Sequence, residues 1–142
     1  MDELVAYAFA LVGGPYIYAS NCPVLGLDCS GFACEILRFA GIVGKEDLSA
    51  QGIYDMLCKQ ASTPNLRARG CFAFYGESVT KINHVAFMVS PYQVLEAGGG
   101  DSTTVNREEA IKRNAFVRGR LLEHRSDLVA TLKPRYGKIG IF

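Results

Sequence analysis

Cys29, His84 and Glu96 are the residues of this chain whose types and positions could support nucleophilic catalysis. Cys29 stands in Asp28-Cys29-Ser30-Gly31-Phe32, behind a loop rich in Gly, Pro and Tyr. Beyond it Phe32, Ala33, Ile36, Leu37, Phe39 and Ala40 recur at helical spacing and Gly41 closes the run, which predicts a helix with Cys29 at its mouth. A cysteine in a first helical turn meets the positive end of the helix dipole and backbone N–H groups without helical partners. Both favour thiolate over thiol, and the thiolate is the nucleophile. Such a cysteine still needs a base.

The chain has two histidines. His124, in Leu122-Glu123-His124-Arg125, is flanked by charges and reads as a solvated surface residue. His84 lies in Ile82-Asn83-His84-Val85-Ala86-Phe87-Met88-Val89, a strand apolar on both faces. Taken alone it reads as a core histidine with a partner on each ring nitrogen. The following hairpin shifts that balance. If Ser90-Pro91-Tyr92 is a three-residue loop, Val89 pairs with Gln93 and Ala86 falls opposite Glu96. Side chains alternate faces and paired residues share one, so Glu96 emerges beside His84, diagonally across the ladder. A two-residue loop would put Glu96 on the opposite face. A carboxylate inside Val94-Leu95-Glu96-Ala97 is costly unless paired. The three residues then read as nucleophile, base and orienter. The Cys29 N–H could help hold an oxyanion and Tyr16 could supply a second donor.

The elements that must position these groups are helices first and strands second. Residues 2–12 form a helix stopped by Gly13-Gly14-Pro15, residues 16–28 a loop, and Ser49 caps a third helix running to about Lys59. Thr63-Pro64-Asn65 breaks the chain. Strands are expected at Cys71–Tyr75, Ile82–Ser90, Gln93–Ala97 and Ala115–Leu122, with a short helix at Asn106–Arg113 capped by Asn106. The segment from Tyr136 to Phe142 reads either as a last strand or as a docking segment. This order indicates one α+β domain over residues 1–142, with a helical N-terminal half packed on an antiparallel sheet.

Composition narrows the function. Net charge is +1, half the residues are apolar, and there is no basic stripe for nucleic acid and no apolar run of membrane-spanning length. The start, Met1-Asp2-Glu3-Leu4, lacks the basic leader of a signal peptide, so synthesis in the cytoplasm is expected. Five cysteines (22, 29, 34, 58 and 71) form neither an even disulfide set nor C-x-x-C metal pairs. Cys34, Cys58 and Cys71 read as small buried hydrophobes, and loop residue Cys22 leaves a redox partnership with Cys29 open.

The run Gly14-Pro15-Tyr16…Gly26-Leu27-Asp28-Cys29-Ser30-Gly31-Phe32, then Phe74-Tyr75-Gly76, then Asn83-His84-Val85, resembles the NlpC family of cell-wall cysteine peptidases. The resemblance covers residues 1 to about 122. It implies a papain-like fold and a cysteine hydrolase acting on amide bonds of peptidoglycan stem peptides, after a γ-linked D-Glu and before the diamino acid. No metal or organic cofactor is implied. Cys29 resembles the nucleophile, His84 the base and Glu96 the orienting residue. Tyr16 resembles the loop tyrosine near the oxyanion, and Asp28 and Ser30 the pair that binds the substrate's free amino end. Residue by residue, Asp28 reads equally as a helix N-cap, Ser30 as an ordinary first-turn residue and Tyr16 as loop packing. The chain departs from the family in Ala19-Ser20, where Gly-Gly is common, in Gly70-Cys71-Phe72 for Gly-Asp-Leu, and in Glu96 for His, Asn or Gln. Glu96-Ala97-Gly98-Gly99 is similar to versions in phage tail-associated peptidases, which implies tail proteins as partners, and the missing leader fits phage delivery, release at lysis or intracellular peptide recycling equally. Two other readings stay open: an amidase or acyl transferase with the same Cys–His chemistry, and a structural tail domain with little activity.

Overall fold

Asp2 and Glu3 place negative charge at the positive end of the first helix, α1 (Asp2–Ala10). It ends before the expected residue 12, because Leu11 and Val12 turn through tighter i to i−3 bonds to Ala8 and Phe9. Asp28 caps α2 (Cys29–Phe39), its Oδ1 accepting from the Gly31 amide at 2.7 Å. Ser49 caps α3 (Ala50–Lys59) through the Gly52 amide at 3.0 Å. Asn106 caps α4 (Arg107–Arg113), which Asn114 ends in the left-handed conformation. All three side-chain caps stand at or beside the positions where the sequence turns from polar to periodic apolar.

In this computed structural model residues 1–60 and 62–137 are described. Between α1 and α2 two short strands, β1 (Asn21–Cys22) and β2 (Gly26–Leu27), make a small hairpin in what reads as loop. The main sheet holds β3 (Thr63–Pro64), β4 (Phe72–Ser78), β5 (Lys81–Met88), β6 (Gln93–Gly98), β7 (Phe116–Leu121) and β8 (Leu128–Lys133). Its order is β3-β8-β4-β5-β6-β7, and every neighbouring pair is antiparallel. Two of these strands correct the sequence reading. Thr63-Pro64 is a short edge strand rather than a break, a place where proline's missing N–H does no harm. β8 lies in a stretch to which the sequence reading assigned no element. Of the undecided tail, residues 138–142 lie outside the described residues, and the Tyr136 hydroxyl donates to the Gly70 carbonyl.

Helices α1 to α3 cover one face of the sheet. Phe32, Ile36 and Leu37 of α2 and Ile53 and Leu57 of α3 are fully buried there against Phe72, Phe74, Val85 and Phe87. Each such side chain contributes about 1.5–3 kcal/mol on burial. A smaller cluster, Cys71, Ala73, Tyr75, Ala86, Met88, Val94 and Leu122, lies on the other face. Cys34 and Cys71 are buried as expected, but Cys58 is exposed. One residue beyond Leu57, it is turned about 100° off the inward stripe of α3. All five cysteines are free. No helix among the described residues is long and apolar enough to cross a membrane.

The link from β7 to β8 determines much of the site. It leaves one edge of the sheet and must pass β6, β5 and β4, four interstrand spacings or about 19 Å. The residues between, 122–127, reach about 20 Å when extended. The link crosses the outer face and turns as it leaves β7, the His124 amide donating to the Leu121 carbonyl at 3.1 Å. Leu122 accepts from the Tyr75 hydroxyl at 2.7 Å, Arg125 reaches Asn83 Oδ1 at 3.0 Å, and the Asp127 carbonyl accepts from the Gly76 amide at 2.9 Å.

Candidate active site

Cys29 is the first residue of α2 and is half-buried. The loop before it is fastened at both ends. Gly13 N–H donates to Val117 at 2.9 Å, Val117 N–H to Gly14 at 2.8 Å, and Tyr16 N–H to Ala115 at 3.0 Å, which zips residues 13–16 to the start of β7. At the other end Asp28 Oδ2 accepts from the Ala19 amide at 3.0 Å, and the Ser30 hydroxyl donates to Oδ1 at 3.3 Å. Burial pushes the Asp28 carboxyl upward, against these hydrogen bonds. Asp28 and Ser30 are thus engaged in shaping the helix start. Ala19, which stands where the resembled family has glycine, has φ of 59°, a left-handed conformation that costs a side-chain-bearing residue about 1 kcal/mol or more.

The β5–β6 hairpin has the register that a three-residue loop dictates. Val89 N–H donates to Gln93 at 3.0 Å, Met88 faces Val94 and Phe87 faces Leu95. The ladder stops there, one pair short of Ala86 and Glu96, so the strands part toward His84. Glu96 Oε1 lies 3.1 Å from His84 Nε2, with both side chains more than nine-tenths buried. The two atoms are at ion-pair distance without the angles of a directed hydrogen bond. With Nε2 toward Glu96, Nδ1 is the nitrogen left for Cys29, whose thiol lines the same cleft and favours the charged ring.

The electrostatics follow from these contacts. Burial is the largest influence on His84 and disfavours its charge, but Cys29 and Glu96 together outweigh it and raise the imidazole to about 9. Glu96 shows the converse. Burial is again largest and raises it, while His84, His124 and Arg120 bring it below the ordinary carboxylate value. Tyr16 is buried, and burial and then the neighbouring Cys29 raise its phenol well above the ordinary tyrosine value. It stays a neutral O–H donor.

His124 requires a correction. It is not a solvated surface residue: its side chain is 18% exposed, and its Nε2 lies 3.2 Å from the same Glu96 oxygen that faces His84. Its Nδ1 lies 2.9 Å from the Leu121 carbonyl, and its ring meets Tyr75 edge-on. The flanking charges misled because they say nothing of the path from β7 to β8, whose midpoint must lie over β5 and β6. Two of the three glycines after Ala97 lie against site side chains. A Cβ at Gly98 would lie 2.5 Å from Glu96 Oε2, and one at Gly100 would lie 2.2 Å from the Tyr16 ring. Both positions are bare because site side chains occupy the space.

Tyr16, Cys29, His84, Glu96 and His124 line one cleft of about 280 Å³. Among the described residues no group of three or more His, Cys, Asp and Glu side chains is arranged to hold a metal ion. The arrangement can deprotonate a thiol, hold the resulting imidazolium and offer N–H and O–H donors to an oxyanion.

No protein-family model and no curated protein matches the chain. Solved structures do. The NlpC/p60 domain of the peptidoglycan hydrolase SagA superposes with a TM-score of 0.64 at 17% identity, over 92% of this chain and 95% of that one. An NlpC/P60 family protein from Bacillus cereus gives 0.69 at 18%, over 95% of this chain but 39% of its own length. The P60 domain of an antigen from M. avium subspecies paratuberculosis gives 0.61 at 20%, over 96% and 94%. The chain has the papain-like NlpC/P60 fold. It spans nearly all of the SagA and M. avium domains and about two-fifths of the Bacillus cereus protein.

Proposed function

We propose that this chain is a cysteine hydrolase that cleaves amide bonds in peptidoglycan stem peptides. The observation that carries the reading is Cys29 at a helix N-terminus, beside an imidazole backed by the buried Glu96 carboxylate. Its NlpC/P60 fold is shared with a domain of a peptidoglycan hydrolase. In this reading His84 takes the Cys29 proton, and the thiolate attacks the amide carbonyl. The tetrahedral oxyanion is held by the Cys29 N–H and Tyr16. Collapse breaks the C–N bond as His84 protonates the leaving amine, leaving an acyl-enzyme. His84 then deprotonates water, which attacks the thioester and releases the acid and Cys29. Glu96 orients the ring throughout. Asp28 and Ser30 would meet the free amino end of the stem, and the bond cut would follow a γ-linked D-Glu. Synthesis in the cytoplasm and delivery by a phage tail or by lysis belong to the same proposal.

The test is incubation of the protein and its Cys29→Ala variant with purified peptidoglycan and stem tripeptides, following new amines by mass spectrometry. A Cys29-dependent fragment is expected and would identify the bond. No cleavage, with Cys29 alkylating far faster than the other cysteines, would redirect the chemistry to another acyl substrate. No cleavage and an unreactive Cys29 would leave a structural tail domain.

A further inference from the structure

Glu96 Oε1 has two imidazoles on it, His84 Nε2 at 3.1 Å and His124 Nε2 at 3.2 Å. The hydrolase reading uses only the first. The second is constrained by its own far nitrogen. A carbonyl can only accept, so His124 Nδ1, 2.9 Å from the Leu121 oxygen, must carry a proton. A neutral ring would then turn the Nε2 lone pair toward a carboxylate oxygen, which is repulsive. The contact is favourable only if Nε2 is protonated as well. Glu96 Oε2 meanwhile sits over Gly98, where no Cβ intervenes. Neither imidazole makes a directed hydrogen bond to Oε1, so what fixes this carboxylate is a ring on each of two sides and lack of space elsewhere.

We infer that His124 is a positioning residue: anchored on the Leu121 carbonyl, it sets Nε2 against Glu96 Oε1 and so keeps that carboxylate aimed at His84. The inference rests on the hydrolase reading for its kinetic consequence, but not for its electrostatic one. Other groups around the pair belong to every neighbouring element: Tyr75 on β4, Arg120 on β7, Arg125 and Asp127 on the link, and Cys29 on α2. Arg125 is held by both Asp127 oxygens, at 2.8 and 2.7 Å, which leaves His124 as the side chain placed on Oε1 opposite His84.

The chain's two histidines make the test direct, because imidazole-labelled protein shows only two ring systems and each His124 variant only one. The titration of His84 is followed by NMR in the wild type, His124→Gln and His124→Ala, alongside kcat and KM on the stem tripeptide. For His124→Ala the expected results are a lower His84 midpoint and a kcat reduced on the order of tenfold to a hundredfold, with KM little changed. Gln, whose amide can still donate to Oε1, is expected to recover most of the rate. An unchanged His84 titration in both folded variants overturns the inference. If the wild type cleaves no stem peptide, the hydrolase reading fails while the titrations still decide the role of His124.

Discussion

Toward the helices the main sheet presents Phe72, Phe74, Phe87 and Leu95, whereas its outer face presents Cys71, Ala73, Ala86 and Met88 together with His84 and Glu96. The cover differs as much as the lining. Helices satisfy their own backbone groups and offer a packed sheet face little but side chains. The irregular link over the outer face and the end of β7 that leads into it offer carbonyls instead: Leu122 to the Tyr75 hydroxyl and Leu121 to His124. A buried ion pair needs such partners to offset its desolvation. The candidate site is therefore built on the thinly covered side, where Cys29 lines one cleft with His84 and Glu96.

The comparison makes separable predictions. Phe74, fully buried and edge-on to Tyr54 at 5.2 Å, belongs to the helix side. Phe74→Ala is expected to cost about 3–5 kcal/mol in urea denaturation. Glu96→Gln strikes the outer side and is expected to lower kcat/KM about a hundredfold, close to 2.7 kcal/mol of transition-state stabilisation. It also changes the pH dependence. His84 is raised from its ordinary 6.5 to about 9, so its contribution to stability is complete below 6.5 and is lost as pH rises through about 9. Activity should fall in the same alkaline window as the imidazolium loses the proton meant for the leaving amine. In Glu96→Gln both declines move to lower pH, checked by kcat/KM and urea midpoints between pH 6 and 10.

Two glycines on adjacent strands sharpen the contrast. Gly98→Ala would push its Cβ against Glu96 Oε2, and about a tenfold loss of activity is expected as the carboxylate is displaced. At Gly119, opposite Leu95 on β6, an added Cβ meets nothing nearer than 3.7 Å. Gly119→Ala should stay within about 0.5 kcal/mol of wild type and keep full activity. A Gly119→Ala variant as damaged as Gly98→Ala would show that the sheet, not the carboxylate, is the sensitive part.

What could be read from the sequence was whatever is local or counted along one hairpin. The Cys29 helix announces itself by its cap and period, and the His84–Glu96 meeting follows from three loop residues between alternating strands. What escaped depends on the path of the chain between distant elements. His124 sits among charges in a segment with no period of its own. The clue was Leu128-Val129-Ala130-Thr131-Leu132, a β-branched apolar run next to it. Had that been read as a strand and paired with β4, the link would have had to cross the outer face, carrying residue 124 over Glu96. Cys58 was misread for a simpler reason, since membership of an amphipathic helix does not fix the side a residue takes.

The strand order also has a consequence for biosynthesis. β4 pairs with β8, Phe74 lying opposite Ala130, so two neighbours in the sheet are separated by most of the second half of the chain. A nascent chain that has made β4 through β7 carries Cys29, His84 and Glu96, yet β4 still presents an open edge and the outer face is bare. Such an edge invites pairing with other chains until residues 122–133 leave the ribosome. The same late segment that shields the edge delivers His124 to Glu96, so solubility and a finished site arrive together.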